Sequence, residues 1–341
     1  MTIKDLSAQT GYSVGTVSRV LNNHPNVSPQ ARQAVLAAAA RCGFQLNANA
    51  KHLRQQHATT VLAVVKGTSN ELFGALVEQI QRLVEKTKYP LLVDYVDEDA
   101  NEVLRALQLC RERKPVGILF LGGNRRHFAA DFAGVDLPCV VVTNDASGLS
   151  FSNLSSVTTD DVQAASCAID GLVALGHRRI GLIGGDRAVS DTARLRFAGC
   201  MEAFARHQIS FDPDRSYRGV RFSYAGGYRA ARELLALNPE MTAIFAASDV
   251  MAIGAIRALR DCSLRVPEDI SVMGFDGLPI GEYFVPQLST IAQSVEDLAQ
   301  RSVEILLDCV EAGGGARYLT VPFAVHWKES ARALPAGKKP G

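Results

Sequence analysis

The stretch "TGYSVGTVSRVLNN", residues 10–23, gives the clearest indication of the fold. It mixes hydroxyl side chains with valines, contains no carboxylate and carries one charge, at Arg19. Gly11 suits the left-handed backbone of a tight turn, and Ser13 is a favourable first residue for a helix. The apolar positions with helical spacing after this turn are Val17, Val20 and Leu21. The stretch therefore predicts a turn followed by a short helix with a small, acid-free outer face.

Two further short helices flank this one. Ile3 and Leu6 have the spacing of a helix that ends at Gly11. After the irregular "NNHPN" segment, Ser28 is a predicted cap and Pro29 a predicted first residue of a third helix. The residues expected on its inner face are Val35, Leu36 and Ala39. Three short helices with a glycine turn between the first two predict a helix-turn-helix unit, whose second helix enters the major groove of DNA.

The charge distribution supports this prediction. Residues 1–57 contain six Lys and Arg residues and one acidic residue, a net charge of +5, whereas the rest of the chain carries −4. No acidic residue lies between Asp5 and Glu71. A solvated basic face normally mixes both signs, so the exclusion of acids favours a polyanionic partner. We expect double-stranded DNA to bind the N-terminal region alone.

From Thr59 the pattern changes to short apolar runs separated by helical segments. The runs "TVLAVV", "PLLVDYV", "VGILFL" and "PCVVVTN" form one series, and "RIGLIGG", "SYRGVRF", "TAIFAAS" and "ISVMGF" form a second. Each series is typical of parallel βαβ units. Two doubly wound parallel sheets would form two lobes, with a ligand cleft beyond the carboxyl ends of their strands. We expect the chain to cross between the lobes near Ser156, Ser289 and Arg317.

Several classes of function are excluded by missing motifs. The N-terminus has no apolar leader and no run is long enough for a membrane span, so we expect a cytoplasmic protein without a membrane partner. Dinucleotide, P-loop, GxSxG and HExxH motifs are absent, and the seven cysteines never form CxxC. We predict no enzyme activity, no catalytic residues, no cofactor and no metal. A periplasmic-type sugar-binding protein is the alternative, and the DNA-binding N-terminus argues against it.

The sequence resembles the lactose-repressor (LacI/GalR) family of bacterial transcription regulators over essentially its whole length. The N-terminal likeness lies in "TIKDLSAQTGYSVGTVSRVLNN" and "FQLNANAKHLR". The segments "LGHRRIGLIGG", "TAIFAASDVMAIGAIRAL" and "LRVPEDISVMGFDG" match the family's effector domain in order. The resemblance implies a helix-turn-helix domain joined to a two-lobed effector domain akin to periplasmic binding proteins. It also implies a repressor that binds a pseudo-palindromic operator as a homodimer, under control of a small molecule such as a sugar or sugar derivative.

The resemblance also implies which residues contact DNA. Val14, Gly15 and Arg19 take the base-reading positions, and an Arg fork can span the O6 and N7 atoms of guanine. The full set expected at the operator from the helix-turn-helix is Ser13, Val14, Gly15, Thr16, Ser18, Arg19 and Asn22. Residues 47–56 correspond to a hinge helix that orders in the minor groove, where Leu53, with Ala50 beside it, would wedge between base steps. The alternative is a plain linker.

For the effector site, the resemblance points to Arg196 and Asp276 as the groups that hold polar atoms of the ligand. The supporting residues would be Ser248, Asn70 and Thr143, with Phe73 and Phe222 as stacking surfaces. An Arg fork and a carboxylate orient neighbouring hydroxyls, and an aromatic ring covers an apolar sugar face. Acidic residues near strand ends also cap helices, and for Asp249 we favour that role.

The expected division of the chain follows from these segments. The predicted domains are a DNA-binding domain at 1–46, a hinge at 47–58, an effector and dimerisation domain at 59–331, and a flexible tail at 332–341. The predicted lobes are 59–157 with 289–316, and 158–288 with 317–331. Effector binding would change the angle between the lobes and the spacing of the two hinges in the dimer, and so alter DNA affinity.

Overall fold

The chain forms two compact units, residues 1–57 and residues 58–341. Among the described residues, the first contains three helices, and the second contains two six-stranded sheets with helices packed against them. The computed structural model describes residues 3–21, 27–42, 60–67 and 70–334.

The helices in the described part of the N-terminal unit are α1 (Ile3–Thr10), α2 (Val14–Leu21) and α3 (Pro29–Arg41). Gly11 turns the chain between α1 and α2 with a φ of 69°, and Ser28 caps α3 by accepting the Ala31 N–H at 3.3 Å. The buried core consists of Leu6, Val17, Val20, Val35, Ala38 and Ala39. The prediction that Leu36 faces inward was wrong. Its side chain is 47% exposed, because positions three and four residues after Val35 complete the inner stripe.

Lobe one is built on a parallel sheet with the strand order β11-β5-β4-β3-β1-β2. Its strands are β1 (Val61–Lys66), β2 (Leu91–Val96), β3 (Gly117–Leu121), β4 (Cys139–Val142), β5 (Leu154–Thr159) and β11 (Tyr318–Val321). Its helices are α4 (Glu71–Val84), α5 (Glu102–Arg113), α6 (Arg125–Asp131) and α13 (Val295–Ala312). Apolar clusters cover both faces of this sheet, as a parallel sheet requires.

Lobe two repeats this architecture with the strand order β12-β10-β9-β8-β6-β7, in which only the pairing of β10 with β12 is antiparallel. Its strands are β6 (Ile180–Gly184), β7 (Tyr217–Gly219), β8 (Ala243–Ala246), β9 (Ser271–Asp276), β10 (Ser289–Gln293) and β12 (Phe323–His326). Its helices are α7 (Asp161–Ala174), α8 (Asp191–Arg206), α9 (Pro213–Ser216), α10 (Tyr224–Leu237), α11 (Asp249–Asp261) and α12 (Ile280–Tyr283).

The chain crosses between the lobes at three points, two of which differ from the predicted ones. It leaves lobe one after Thr159, returns after Gln293, and crosses again at Pro322, between β11 and β12. The first crossing lies close to the predicted Ser156, whereas the predicted crossings near Ser289 and Arg317 assigned two strands to the wrong lobe. Strand β10 belongs to lobe two and β11 to lobe one. Thr159 Oγ1 and Gln293 Oε1 form a 2.8 Å hydrogen bond that joins the first two crossings.

The last described residues pack against lobe two. The backbone N–H of Arg332 donates to Ser271 Oγ at 3.1 Å, and that of Leu334 donates to the Leu175 carbonyl at 2.9 Å. The predicted tail therefore begins too early, because residues 332–334 are held by hydrogen bonds; residues 335–341 lie outside the described residues. No helix in the described part of the chain has the length and apolar character needed to cross a membrane.

Candidate functional site

The expected DNA-contacting face of α2 is open. Ser13, Gly15 and Arg19 are exposed, and Val14 is 45% exposed although it is apolar. The Ser13 hydroxyl accepts the N–H of Thr16 at 3.2 Å, which supports the first turn of α2. Ser18 lies within α2. The predicted contacts Asn22, Ala50 and Leu53 lie outside the described residues.

A cleft of about 510 Å³ lies between the two lobes. Residues at or just after the carboxyl ends of strands from both sheets line it, as expected for doubly wound sheets. Six of the seven predicted effector residues meet here: Asn70, Phe73, Thr143, Arg196, Phe222 and Asp276.

Arg196, on α8, is a buried cation at the lobe-two wall of the cleft. Its Nε donates to Asp161 Oδ1 at 2.8 Å, and its Nη1 donates to the carbonyl of Ala247. The guanidinium lies over the ring of Phe275, 3.5 Å from the ring centroid. Among the hydrogen bonds of the described residues, none uses Nη2. Arg196 is therefore fixed in position and retains a donor for a ligand.

Asp276 ends β9 beside this guanidinium. Its Oδ1 lies 3.6 Å from Arg196 Nη1 and accepts a 2.9 Å hydrogen bond from Gln293 Nε2. Within the described residues, Oδ2 has no hydrogen-bond partner. The residue has a φ of 119°, an unusual backbone conformation for a side chain other than glycine. Burial raises the pKa of Asp276 to about 6, against the opposing effect of Arg196. A ligand hydroxyl could donate to Oδ2 while another accepts from Arg196.

Two aromatic rings stand on opposite walls of the cleft, and each packs against a glycine. A Cβ on Gly185 would lie 2.7 Å from Cε2 of Phe222, and a Cβ on Gly122 would lie 2.9 Å from Cζ of Phe73. Both glycines are therefore needed for the rings to lie this close to the backbone. The rings provide the apolar surfaces that a sugar ring or a base can cover.

Asn70 and Thr143 belong to the lobe-one wall. Asn70 is the N-cap of α4, and its Oδ1 accepts the Leu72 N–H at 3.1 Å. Thr143 follows β4 with a φ of 77°, and its carbonyl accepts a hydrogen bond from Thr158 Oγ1 at 3.1 Å. Both side chains are at the cleft, but that of Asn70 also has a structural role.

The structure places Ser248 outside the cleft lining. Ser248 is the N-cap of α11, where its hydroxyl accepts the Met251 N–H at 3.5 Å. Asp249 is the first residue of the helix, so its predicted capping role was wrong. Its carboxylate instead accepts the Leu278 N–H at 2.7 Å and the hydroxyl of Thr290 at 2.6 Å.

Sequence reasoning missed six charged residues that line the cleft: Lys66, Asp97, Glu98, Asp99, Asp186 and Arg221. Lys66 and Asp97 lie at the ends of β1 and β2, and Asp99 follows two residues later. Arg221 lies beside the predicted Phe222, and its Nη2 contacts Asp99 and lies 3.3 Å from Asp97 Oδ1 on the opposite lobe. The rule that ligands bind at the carboxyl ends of strands could have identified Lys66 and Asp97.

Comparison with known proteins agrees with both units. The family model described as bacterial regulatory proteins, lacI family, matches residues 2–47, and the periplasmic binding protein-like domain matches residues 169–331. The HTH-type transcriptional regulator MalR of Clostridium butyricum is 31% identical over 324 residues, which cover 94% of this chain and 96% of MalR.

Two solved structures are similar to this chain over nearly its whole length. The lac repressor dimer bound to operator and the anti-inducer ONPF has a TM-score of 0.75 at 26% identity, covering 98% of this chain and 99% of that one. The transcriptional regulator CelR in complex with cellobiose has a TM-score of 0.70 at 25% identity, covering 97% and 100%.

Together the fold, the two units and these relatives define a DNA-binding regulator of transcription rather than an enzyme. The chain belongs to the lacI family of bacterial regulatory proteins. The predicted family and fold class are thus confirmed, and the relatives support a regulator rather than a binding protein without a regulatory role.

Proposed function

We propose that the protein represses transcription as a cytoplasmic homodimer, and that a sugar or sugar derivative bound between the lobes sets its operator affinity. One helix-turn-helix unit reads one half-site, so a pseudo-palindromic operator requires two. The likeness to a lac repressor dimer on its operator and to CelR with cellobiose supports these assignments.

The observation that carries the proposal is the buried pair of Arg196 and Asp276 at the cleft. Each side chain is held by protein partners and keeps one polar atom, Nη2 or Oδ2, for a ligand. A fixed donor beside a fixed acceptor matches two adjacent hydroxyl groups of a sugar. The rings of Phe73 and Phe222 supply apolar contact from the two lobes. A ligand that touches both lobes can change their relative angle.

The sharpest test is Asp276→Asn, which keeps the acceptor for Gln293 and removes the charge. We expect a folded protein that binds its operator as the unliganded wild type does. Its effector affinity should fall by ~1.5–3 kcal/mol, the contribution of a hydrogen bond to a charged group. Calorimetry and operator titrations would measure both, and unchanged affinity with an unchanged response would place the effector elsewhere.

Ser248→Ala is the matched control. It removes the helix cap outside the cleft lining, so we expect a loss of about 1 kcal/mol in stability with an unchanged effector response. Arg196→Ala is a poorer test, because it would leave the buried Asp161 without its cationic partner.

At the operator, we propose that Arg19 reads a guanine and that Leu53 wedges into the central minor groove. Arg19→Ala should cost ~1–3 kcal/mol of operator-binding free energy and relax specificity at one base pair per half-site.

Leu53→Ala should weaken specific binding and reduce bending of the DNA more than it affects non-specific binding. Equal losses on operator and random DNA would instead favour a plain linker at residues 47–58.

A further inference from the structure

The charge of the cleft narrows the chemistry of the effector. The described residues that line it include three cations, Lys66, Arg196 and Arg221. Each of them is already paired with a carboxylate of the protein. An anionic ligand would have to take one of these cations from its partner.

Lys66 cannot easily be released. Its ammonium donates to the carbonyl of Ala100 and pairs with Glu102, which is completely buried. The same carboxylate accepts the Asn124 N–H at 2.6 Å and contacts His127 Nδ1 at 2.9 Å. Because Glu102 is surrounded in this way, moving Lys66 toward a ligand would leave a buried carboxylate without its main cation.

The guanidinium of Arg196 forms ion pairs with two carboxylates, those of Asp161 and Asp276. All three side chains are about 95% buried, so the group around this guanidinium carries no surplus positive charge. Arg196 can donate a hydrogen bond to a ligand, but it is not free to neutralise one.

Arg221 is the more accessible cation, and it contacts both Asp97 and Asp99. Two more carboxylates, Glu98 and Asp186, line the cleft. In the part of the chain that the structure describes, neither forms an ion pair. The surplus charge of the wall is therefore negative.

We propose that this cleft selects an uncharged polyhydroxylated effector and rejects its phosphorylated or carboxylated counterpart. The inference rests on the proposed function and specifies the ligand of that same site. A phosphate group would meet cations that are already neutralised and carboxylates that are not, and a like-charge contact of this kind strongly disfavours binding.

The test uses pairs of ligands that differ only in charge: glucose and glucose 6-phosphate, ribose and ribose 5-phosphate, cytidine and cytidine 5′-monophosphate. Thermal shift and calorimetry on the full-length protein would rank them. We expect binding by a neutral member and roughly 100-fold weaker binding by its phosphate ester. A phosphate ester that binds as tightly as its neutral partner, or more tightly, would overturn the inference while leaving the proposed function intact.

Variants that remove carboxylates distinguish repulsion by the cleft itself from an effect of the overall charge of the protein. Glu98→Gln combined with Asp186→Asn should reduce the difference in binding affinity between the neutral and the phosphorylated ligand by about tenfold. The control, Glu112→Gln with Asp214→Asn, removes the same charge outside the cleft lining and should leave this difference in affinity unchanged. An equal reduction of this difference in both double variants would refute the inference that the cleft carboxylates reject a phosphorylated ligand. If no ligand from any pair binds or changes operator affinity, the proposed function fails along with the inference.

Discussion

Asp249 is completely buried at the start of α11, and its carboxylate links that helix to two neighbouring segments. Burial, with a further contribution from the charge of Asp276, raises the pKa of Asp249 to about 8. The folded chain therefore keeps a proton on this group between about pH 4 and pH 8, where the unfolded chain has lost it. The contribution of Asp249 to the free energy of unfolding is fully present below about pH 4. It decreases as the pH rises from there and is lost once the pH passes the folded-state pKa of about 8.

We therefore predict that Asp249→Asn flattens the pH dependence of stability. Asn retains an acceptor for the Leu278 N–H, but it does not titrate. The wild type should lose up to ~1.4 kcal/mol per pH unit more than the variant as the pH rises from 5 to 8. Urea unfolding across this range would measure it. Parallel profiles for the two proteins would contradict the shifted pKa.

Gly15 is an exposed glycine on α2, and no close contact within the N-terminal unit requires a glycine at this position. A Cβ there would meet only Ser13 Oγ, at 3.9 Å. Gly15→Ala should therefore stabilise the unit by about 0.5–1 kcal/mol. It should also weaken operator binding, because Gly15 takes an expected base-reading position where an added methyl group would meet the DNA. Gly74→Ala, at an exposed position of α4 with nothing near its Cβ, is the control and should leave operator binding unchanged.

Sequence reasoning identified six of the residues that line the cleft but not how they are paired. Arg196 and Asp276 were predicted from matching motifs, whereas Asp161 was not, because it approaches Arg196 only after α7 and α8 pack together. Ser248, which was predicted at the effector site and caps α11, shows a related ambiguity. A serine after a strand can face a ligand or cap the next helix, and only the backbone direction decides between them.

At the level of elements, helices α10 and α11 pack closely through a pair of glycines. A Cβ on Gly227 would lie 2.1 Å from the Met251 carbonyl oxygen, and one on Gly254 would lie 2.1 Å from that of Tyr224. The contact is reciprocal, since each helix presents a glycine to the backbone of the other. Helices in such close contact cannot accept a methyl group without moving apart.

Gly227→Ala should therefore destabilise the protein by ~1–3 kcal/mol through overpacking. Gly74→Ala makes the same chemical change on a helix with open space and should stabilise by about 0.5–1 kcal/mol. Thermal unfolding of both variants would show shifts of opposite sign. A stabilised Gly227→Ala protein would mean that the two helices are not closely packed.

Most strands of the two sheets coincide with apolar runs that were visible in the sequence. The sheet to which the late strands belong was not predictable in the same way. Strands β10 and β11 are short, and each contains both apolar and polar residues that would suit either lobe. Their place depends on pairing with distant strands, such as Thr320 with Thr158, which no local pattern encodes.

At the scale of the whole molecule, charge is separated between the two units. The N-terminal 57 residues carry +5 and the remainder −4. We predict that operator affinity falls steeply with salt, with a logarithmic slope of ~−0.9 per phosphate contacted. Removing residues 1–57 should abolish DNA binding while effector binding persists. Gel-shift titrations over a range of KCl concentrations would test this, and a truncated protein that still shifted operator DNA would refute the assignment.

The three crossings between the lobes also constrain how the protein is made. Lobe one needs α13 and β11 to complete its sheet and its cover, yet the ribosome makes these elements only after most of lobe two. Until then the outer edge of β5 has no partner strand. Lobe two in turn waits for β12, which follows β11 after one residue. Neither lobe can finish folding during synthesis ahead of the other, so both reach their final form together, when the chain is almost complete.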